Sequence, residues 1–474
     1  MDHPPQSSSL ELSNDEITSF VKQATQRIVA HFESLADQAV WDLDQLDPFV
    51  EKLKESLPLQ GESYTEILDK LFDQIISKGF NSASPGYLAY VPSGGLVHAA
   101  IADLISNSVN RYVGVWTAAP GLVQIESNVI RWFCDIIGYA EGSGGFLTSG
   151  GSLANFSAVF TARRERLPDN FLDGILYTSD QAHHSVLKAA ILCGFPSNNV
   201  RVIPSDNNFR LCTHKLQQQI QSDHQKGLRP FMLIASAGTT NTGVIDPLVA
   251  LADIANQENL WFHVDAAYGG FFMLTERGRK QMKGINRADS VTLDPHKGLF
   301  LPYGTGCLLV SNANTLKRAH ASDADYLPIM QDHPERTDFC QISPELSRDF
   351  RGLRVWLPIK MHGINEFRKT LDEKLDLARW ITRKLNDIES IQIIAAPELS
   401  IVAFKIYNPG LETAILNAQT KKLLEVINSR RRVLLTGTLL NDEFVIRICV
   451  LCFRTHQQQI QTCLEDIVWA CEQL

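Results

Sequence analysis

The chain has 474 residues, 44% hydrophobic and 20% charged, an ordinary globular balance with material for about three structural units at ~150 residues each. Its 53 acidic residues outnumber 44 basic ones for a net charge of −9, and no basic stripe runs along it, which argues against a nucleic-acid binder. No apolar run reaches the ~18 residues of a membrane helix, and the polar N-terminus lacks the basic and apolar blocks of a secretory leader, so a cytoplasmic location without membrane contact is expected.

In chain order, residues 1–12 read as a loose tail. Ser13-Asn14-Asp15-Glu16 is a capping-box pattern, and Ile17, Phe20, Val21, Ala24 and Ile28 follow at helical spacing. Residues 64–79 form a second amphipathic stretch. Such a helical arm needs a surface to cover, either its own body or a second copy of the chain. From about residue 90, short apolar runs alternate with helical stretches. The runs are Ile175–Tyr177, Arg201–Ile203, Phe231–Ala235, Leu260–Val264, Ser290–Leu293 and Cys307–Val310. That alternation predicts a largely parallel sheet covered by helices. Asp246 is expected to cap a helix that starts at Pro247.

A long helix is expected over 363–388. A smaller α/β unit follows, with strands at 399–407, 432–437 and 443–452, a helix at 412–430, and a closing helix from about 457. Arg430, Arg431 and Arg432 end the middle helix, where cations suit the helix dipole. Cys449 and Cys452 form a C-x-x-C, but inside a strand, so they are expected to be small core side chains rather than a redox pair. The nine cysteines are scattered and odd in number, which suits a reducing compartment. The expected division is a helical segment over 1–84, a large α/β domain over 85–364 and a small α/β domain over 365–474.

Ligands in open parallel sheets sit beyond the carboxyl ends of the strands, and four places there hold reactive residues. Lys297, in Asp294-Pro295-His296-Lys297-Gly298, follows an apolar run; desolvation would lower its pKa and make it a nucleophile able to form a Schiff base. Asp265 ends the apolar run Leu260–Val264, where a carboxylate needs a cationic or donor partner, unless it merely caps the next turn. Thr148-Ser149-Gly150-Gly151-Ser152 opens a helix and leaves backbone N–H groups for a phosphate. It is not a Walker loop, because no Gly-Lys-Ser/Thr follows. His183, in Asp180-Gln181-Ala182-His183-His184, could stack on a flat ring; adjacent histidines make a poor metal pair, no zinc spacing completes one, and no metal is expected. Together the four describe a pyridine ring bearing an aldehyde and a phosphate, which is pyridoxal 5′-phosphate.

These motifs, with Gly238-Thr239-Thr240, His263-Val264-Asp265-Ala266-Ala267-Tyr268 and Phe350-Arg351-Gly352-Leu353-Arg354-Val355-Trp356, resemble the group II pyridoxal-phosphate-dependent amino acid decarboxylases. This is the family of aromatic-L-amino-acid and glutamate decarboxylases. The match keeps family order over most of 80–360. The resemblance implies an α/β fold of type I, like aspartate aminotransferase, and a homodimer with sites near the interface. It implies that Lys297 binds the cofactor aldehyde and Asp265 keeps the pyridine nitrogen protonated. His183 stacks on the ring, and Thr240 supports that histidine. Ala267, Asp294 and His296 line the cofactor, Asp294 standing where many relatives have Asn. Gly151 and Ser152 bind phosphate, and Ser93 lies near cofactor and substrate. The implied reaction is α-decarboxylation of an L-amino acid to the amine and CO2.

Many relatives use a loop tyrosine to protonate Cα. Counting back from Phe350-Arg351 puts Phe339 at that position, as in family members that act as aldehyde synthases, so oxidative deamination is the alternative outcome. Tyr90, Arg111, Tyr112 and Gly114 are the expected substrate-pocket residues. An aromatic substrate follows from the general resemblance, and an acidic one would want Arg111. A transaminase, or a non-catalytic module that keeps the fold, are the remaining alternatives; the presence of Lys297 speaks against the module.

Overall fold

The computed structural model describes residues 10–321, 333 and 336–474. Its centre is a seven-stranded sheet built from β1 (Gly144–Thr148), β2 (Gly174–Ser179), β3 (Val200–Ile203), β4 (Arg229–Ser236), β5 (Trp261–Asp265), β6 (Ser290–Leu293) and β7 (Gly306–Val310). The spatial order is β1-β7-β6-β5-β4-β2-β3. All neighbours pair in parallel except β7, which runs against β1 and β6. The central strands are buried on both faces, which is why they read as continuous apolar runs rather than alternating ones.

Six of the seven strands coincide with the predicted runs. β1 was not foreseen, because Gly144-Gly145 has poor strand propensity. The reason for glycine is close backbone approach: a Cβ on Gly145 would lie 2.1 Å from the Leu308 carbonyl of β7.

Helix α1 (Asn14–Ser34) starts as predicted. Ser13 Oγ accepts from the Glu16 N–H, and Glu16 accepts from the Ser13 N–H at 2.8 Å. None of its residues is buried in this chain. Helix α2 (Gly151–Arg166) crosses beneath the central strands. Helix α3 (Leu248–Gln257) corrects an expectation. Pro247, not Asp246, precedes its first residue, and Asp246 is buried, accepting from the N–H groups of Leu211 at 2.8 Å and Ser236 at 2.7 Å. Its carboxylate ties Leu211 to the end of β4 instead of capping the helix.

Helix α4 (Ile364–Asn386) leads into a four-stranded antiparallel sheet of β8 (Ile391–Ala395), β9 (Ile401–Ile406), β10 (Thr436–Leu440) and β11 (Glu443–Cys449), in the order β8-β9-β11-β10. It is covered by α5 (Thr413–Ser429) and α6 (Gln457–Glu472). β10 begins at 436 rather than 432. The apolar run Val433–Leu435 is buried instead against residues 86–88, where Leu434 bridges Tyr87 in parallel. Arg430, Arg431 and Arg432 all form ion pairs, with Asp466, Asp44 and Asp466 respectively. Cys449 and Cys452 are fully buried, and all nine cysteines are free thiols.

Candidate active site

One cavity of about 440 Å³ lies at the carboxyl ends of the central strands, within the ordinary size range for a small-molecule site. It collects Lys297, Asp265, His183, Gly151, Ser152, Thr240, Ala267, Asp294, His296 and Tyr90 from the sequence-predicted set.

Lys297 reaches the cavity because β6 stops at Leu293 and Pro295 starts a short helical turn, Pro295–Gly298. Its Nζ lies 2.9 Å from Asp294 Oδ2; the lysine side chain is 23% exposed and the aspartate 2%. Burial alone would lower the amine pKa, as the sequence suggested. The structure corrects this: Asp294, and then Asp265, outweigh burial and hold the Lys297 ammonium above the ordinary lysine range. His296 is held by its Nδ1–H donating to the Thr305 carbonyl at 2.7 Å and lies 3.6 Å from Asp294. Burial pulls its pKa down, with Asp294 opposing.

Asp265 ends β5, in register with Ser236 on one side and Thr292 on the other. Its Oδ1 accepts from the Ala267 N–H at 3.1 Å and its Oδ2 from Asn155 Nδ2 at 2.8 Å. The carboxylate therefore has partners on both oxygens and a fixed plane. His183 opens onto the same cavity. The hydroxyl that holds it belongs to Ser185, 2.7 Å from its Nδ1, and not to Thr240, whose carbonyl accepts from Arg447. Burial lowers the His183 pKa, against the opposing charge of Asp265.

Helix α2 opens at the cavity with no side-chain cap, so the N–H groups of Gly151 and Ser152 are available to an anion, while those of Leu153 and Ala154 donate to the Gly150 carbonyl. A Cβ on Gly151 would sit 3.1 Å from Asp294 Oδ2 and 3.2 Å from the Ala267 Cβ, so only glycine leaves that cradle open. Asp294 Oδ1 is buried without a hydrogen-bond partner in the structure, an acceptor still to be satisfied. An amine, a carboxylate, an imidazole and an anion cradle facing one cavity fit pyridoxal 5′-phosphate.

Five predicted residues lie elsewhere. Ser93 is buried, its hydroxyl donating to the Leu301 carbonyl at 2.9 Å, and it lines the groove beside α1 instead. Arg111 is an exposed residue beyond the cavity wall. Tyr112 donates to the Leu346 carbonyl at 2.9 Å, and Gly114 accepts from the Cys340 N–H at 3.0 Å; both pack on the 339–346 segment rather than on the site. Phe339 is 1% exposed, in the core, with the Arg348 guanidinium 4.5 Å from its ring centroid. A side chain buried in that way does not face the cavity of this chain.

The sequence reading missed Asn155, Ser185, Tyr268, Tyr303 and Arg447, all in the cavity wall. Arg447 had a signal: it is a lone cation in the apolar strand β11, between Ile446 and Ile448. It donates to the carbonyls of Asn241 at 2.9 Å, Tyr90 at 3.4 Å and Thr240, and to Thr436 Oγ1 at 3.2 Å. No carboxylate pairs with it among the described residues, and burial pulls its pKa below the usual guanidinium value.

Known proteins are similar to this chain in sequence and fold. A family model described as the pyridoxal-dependent decarboxylase conserved domain matches residues 48–407. The chain is 34% identical to an aromatic-L-amino-acid decarboxylase of Bacillus atrophaeus over 456 residues, 96% of this chain and 95% of that one. It is 32% identical to human cysteine sulfinic acid decarboxylase over 400 residues, 80% of each chain. The crystal structure of Catharanthus roseus tryptophan decarboxylase in complex with L-tryptophan superposes with a TM-score of 0.91 at 25% identity, covering 98% of this chain and 99% of that one. The chain belongs to the pyridoxal-dependent decarboxylase family. It has the type I fold, uses pyridoxal 5′-phosphate and removes the carboxyl group of an amino acid as CO2. Among the described residues no helix is long and apolar enough to cross a membrane, and no His/Cys/Asp/Glu group suits a metal.

Proposed function

We propose that the substrate is an aromatic L-amino acid and the product its amine, made at a site formed by Lys297, Asp265 and His183. The observation behind the site assignment is that one cavity gathers an amine, a carboxylate and an uncapped helix start from β6, β5 and α2. Support for the aromatic side chain comes from the end-to-end similarity to the Bacillus decarboxylase. When bound, the cofactor supplies the electron sink for the pair released as the carboxyl group leaves. The chain's own groups do the rest. Lys297 Nζ is the amine that would hold the cofactor aldehyde. Asp265 keeps a proton on the pyridine nitrogen, so the sink stays strong. His183 would cover the ring face, Ala267 and His296 would line the ring's surroundings, and Gly151 and Ser152 would take the phosphate through helix N–H groups. Asp294 balances positive charge at Nζ.

Arg447 gives the cavity a cationic wall with no acidic partner among the described residues, complementary to a carboxylate on the substrate. This favours a second reading, an amino acid with an acidic side chain, in place of the Arg111 argument. The aldehyde outcome stays the alternative; it rests on Phe339, whose side chain lies in the core of this chain and not in the cavity wall. Between 304 and 350 the sequence has one tyrosine, Tyr326, outside the described residues, and it replaces position 339 as the one to test for proton donation. Incubation with a panel of L-amino acids, measuring CO2, amine, aldehyde and keto acid, tests all of this. Amine from aromatic substrates supports the proposal. CO2 from acidic substrates alone favours the second reading, and aldehyde or keto acid as the main product contradicts the proposed chemistry.

A homodimer is part of the proposal. Ile17 and Val21 of α1 and Ile101, Leu104 and Ile105 of the helix Val97–Val109 are exposed around an apolar groove of about 740 Å³. A second copy would cover them, and a monomeric mass in sedimentation would refute it. Nine free thiols suit the proposed cytoplasmic location. The structural units at 1–84, 85–364 and 365–474 remain the proposed division.

A further inference from the structure

We propose that Asn155 is a positioning residue that fixes Asp265 and His183 together, through a buried hydrogen-bond chain. The inference rests on the proposed roles of those two residues at the cofactor ring.

Asn155 lies one turn into α2, on the same face as Gly151 and Ser152, and is 2% exposed. Its Nδ2 is 2.8 Å from Asp265 Oδ2 and 2.9 Å from Ser185 Oγ. Its Oδ1 is 2.8 Å from Thr292 Oγ1 and 3.1 Å from His263 Nε2. An ionised carboxylate can only accept, so the amide NH2 faces Asp265 and the amide oxygen faces the other two. All four hydrogen-bonding capacities of the amide are then used: two donors and two lone pairs.

The rest of the chain follows from that orientation. His263 must donate from Nε2, so its Nδ1 is a lone pair, which accepts from Ser290 Oγ at 2.8 Å. Ser290 Oγ in turn accepts from Trp261 Nε1 at 2.8 Å. His263 is fully buried and neutral, and burial pulls its pKa down to about 4. On the other branch Ser185 Oγ accepts from Asn155 and keeps its own proton available to His183 Nδ1. An independent contact agrees: the Ser185 backbone N–H also donates to His183 Nδ1, at 3.2 Å. His183 is therefore a neutral imidazole with its proton on Nε2. One amide thus sets the plane of Asp265 and, through one hydroxyl, the tautomer of His183.

Three variants test this in the full chain reconstituted with pyridoxal 5′-phosphate: Asn155→Leu, Asn155→Asp and Ser185→Ala. Losing a hydrogen bond to a charged group should weaken cofactor binding roughly 10- to 100-fold in Asn155→Leu. Ser185→Ala frees His183 and one Asn155 donor but keeps the Asn155–Asp265 contact, so it should lower kcat and weaken cofactor binding less than Asn155→Leu does. Asn155→Asp sets two carboxylates against each other at neutral pH. As it protonates toward about pH 5 it regains a donor, so its deficit relative to wild type at the same pH should shrink. A merely structural role would not produce that pH-dependent rescue. Wild-type affinity in Asn155→Leu, or a deficit in Asn155→Asp that is constant with pH, overturns the inference. If Asn155→Leu does not fold, the Asn155→Asp profile decides. Failure of the wild type itself to bind the cofactor would instead overturn the functional reading beneath it.

Discussion

Replacing Asp294 with Asn probes the contact that controls the reactive amine. Asp294 Oδ2 is 2.9 Å from Lys297 Nζ and almost fully buried. Two unit charges at that distance attract by about 6 kcal/mol at an effective dielectric of 20. The lysine side chain is 23% exposed, so solvent screens part of this. An Asn oxygen would also keep part of the dipolar attraction. A loss of about 1.4–3 kcal/mol is left, equivalent to about one to two pH units at the nitrogen. The sign follows from the charge: a carboxylate favours the protonated nitrogen, so removing it lowers the pH at which that proton leaves. The assay is the absorbance of the reconstituted enzyme as a function of pH, which reports the proton on the nitrogen joined to the cofactor. The midpoint in Asp294→Asn should fall by that amount. An unchanged or raised midpoint would refute the electrostatic role given to Asp294.

Asp265→Asn should still hold the cofactor on Lys297 but lose most turnover, because a neutral amide cannot keep the ring nitrogen protonated; near-normal kcat with an intact cofactor spectrum would remove Asp265 from that role. Phe339→Tyr should leave the ratio of amine to aldehyde unchanged, since the side chain is in the core, whereas Tyr326→Phe should lower amine formation if the proton comes from the only tyrosine between 304 and 350; the reverse pattern would restore the original placement of the loop. Burial holds His263 at about pKa 4, against ~6.5 when unfolded, so the folded state keeps the neutral ring. Its contribution is complete above about pH 6.5 and is lost as pH falls toward 4, by about 3 kcal/mol in all. Denaturant unfolding across that window should show a shallower slope in His263→Gln, and an equal slope would contradict the neutral assignment.

The parts of the site that were legible in the sequence share one property: each follows an apolar run. Lys297, Asp265 and His183 stand just past β6, β5 and β2, where chain topology alone puts them at the same sheet edge. Gly151 and Ser152 were legible because small residues opening a helix have few structural reasons to be there. Asn155 was not, because a single polar residue among Leu153, Ala154 and Phe156 gives no hint of the histidine, the carboxylate and the two hydroxyls around it. Those partners come from β5, β6 and the turn after β2, and only the folded sheet brings them together. Arg111, Tyr112, Gly114 and Phe339 lie outside this chain's cavity for a related reason. They lie in irregular segments, where no periodicity fixes direction, and position along the chain says little about position in space. Ser93 sits in a turn whose hydroxyl found a backbone carbonyl closer than the cavity.

The most direct test of the account is borohydride reduction of the cofactor-loaded protein followed by peptide mapping. The account predicts a single pyridoxyl group, on Lys297, in the peptide containing Asp294-Pro295-His296-Lys297. A pyridoxyl group on another lysine, or none in protein that has been saturated with cofactor, would contradict it.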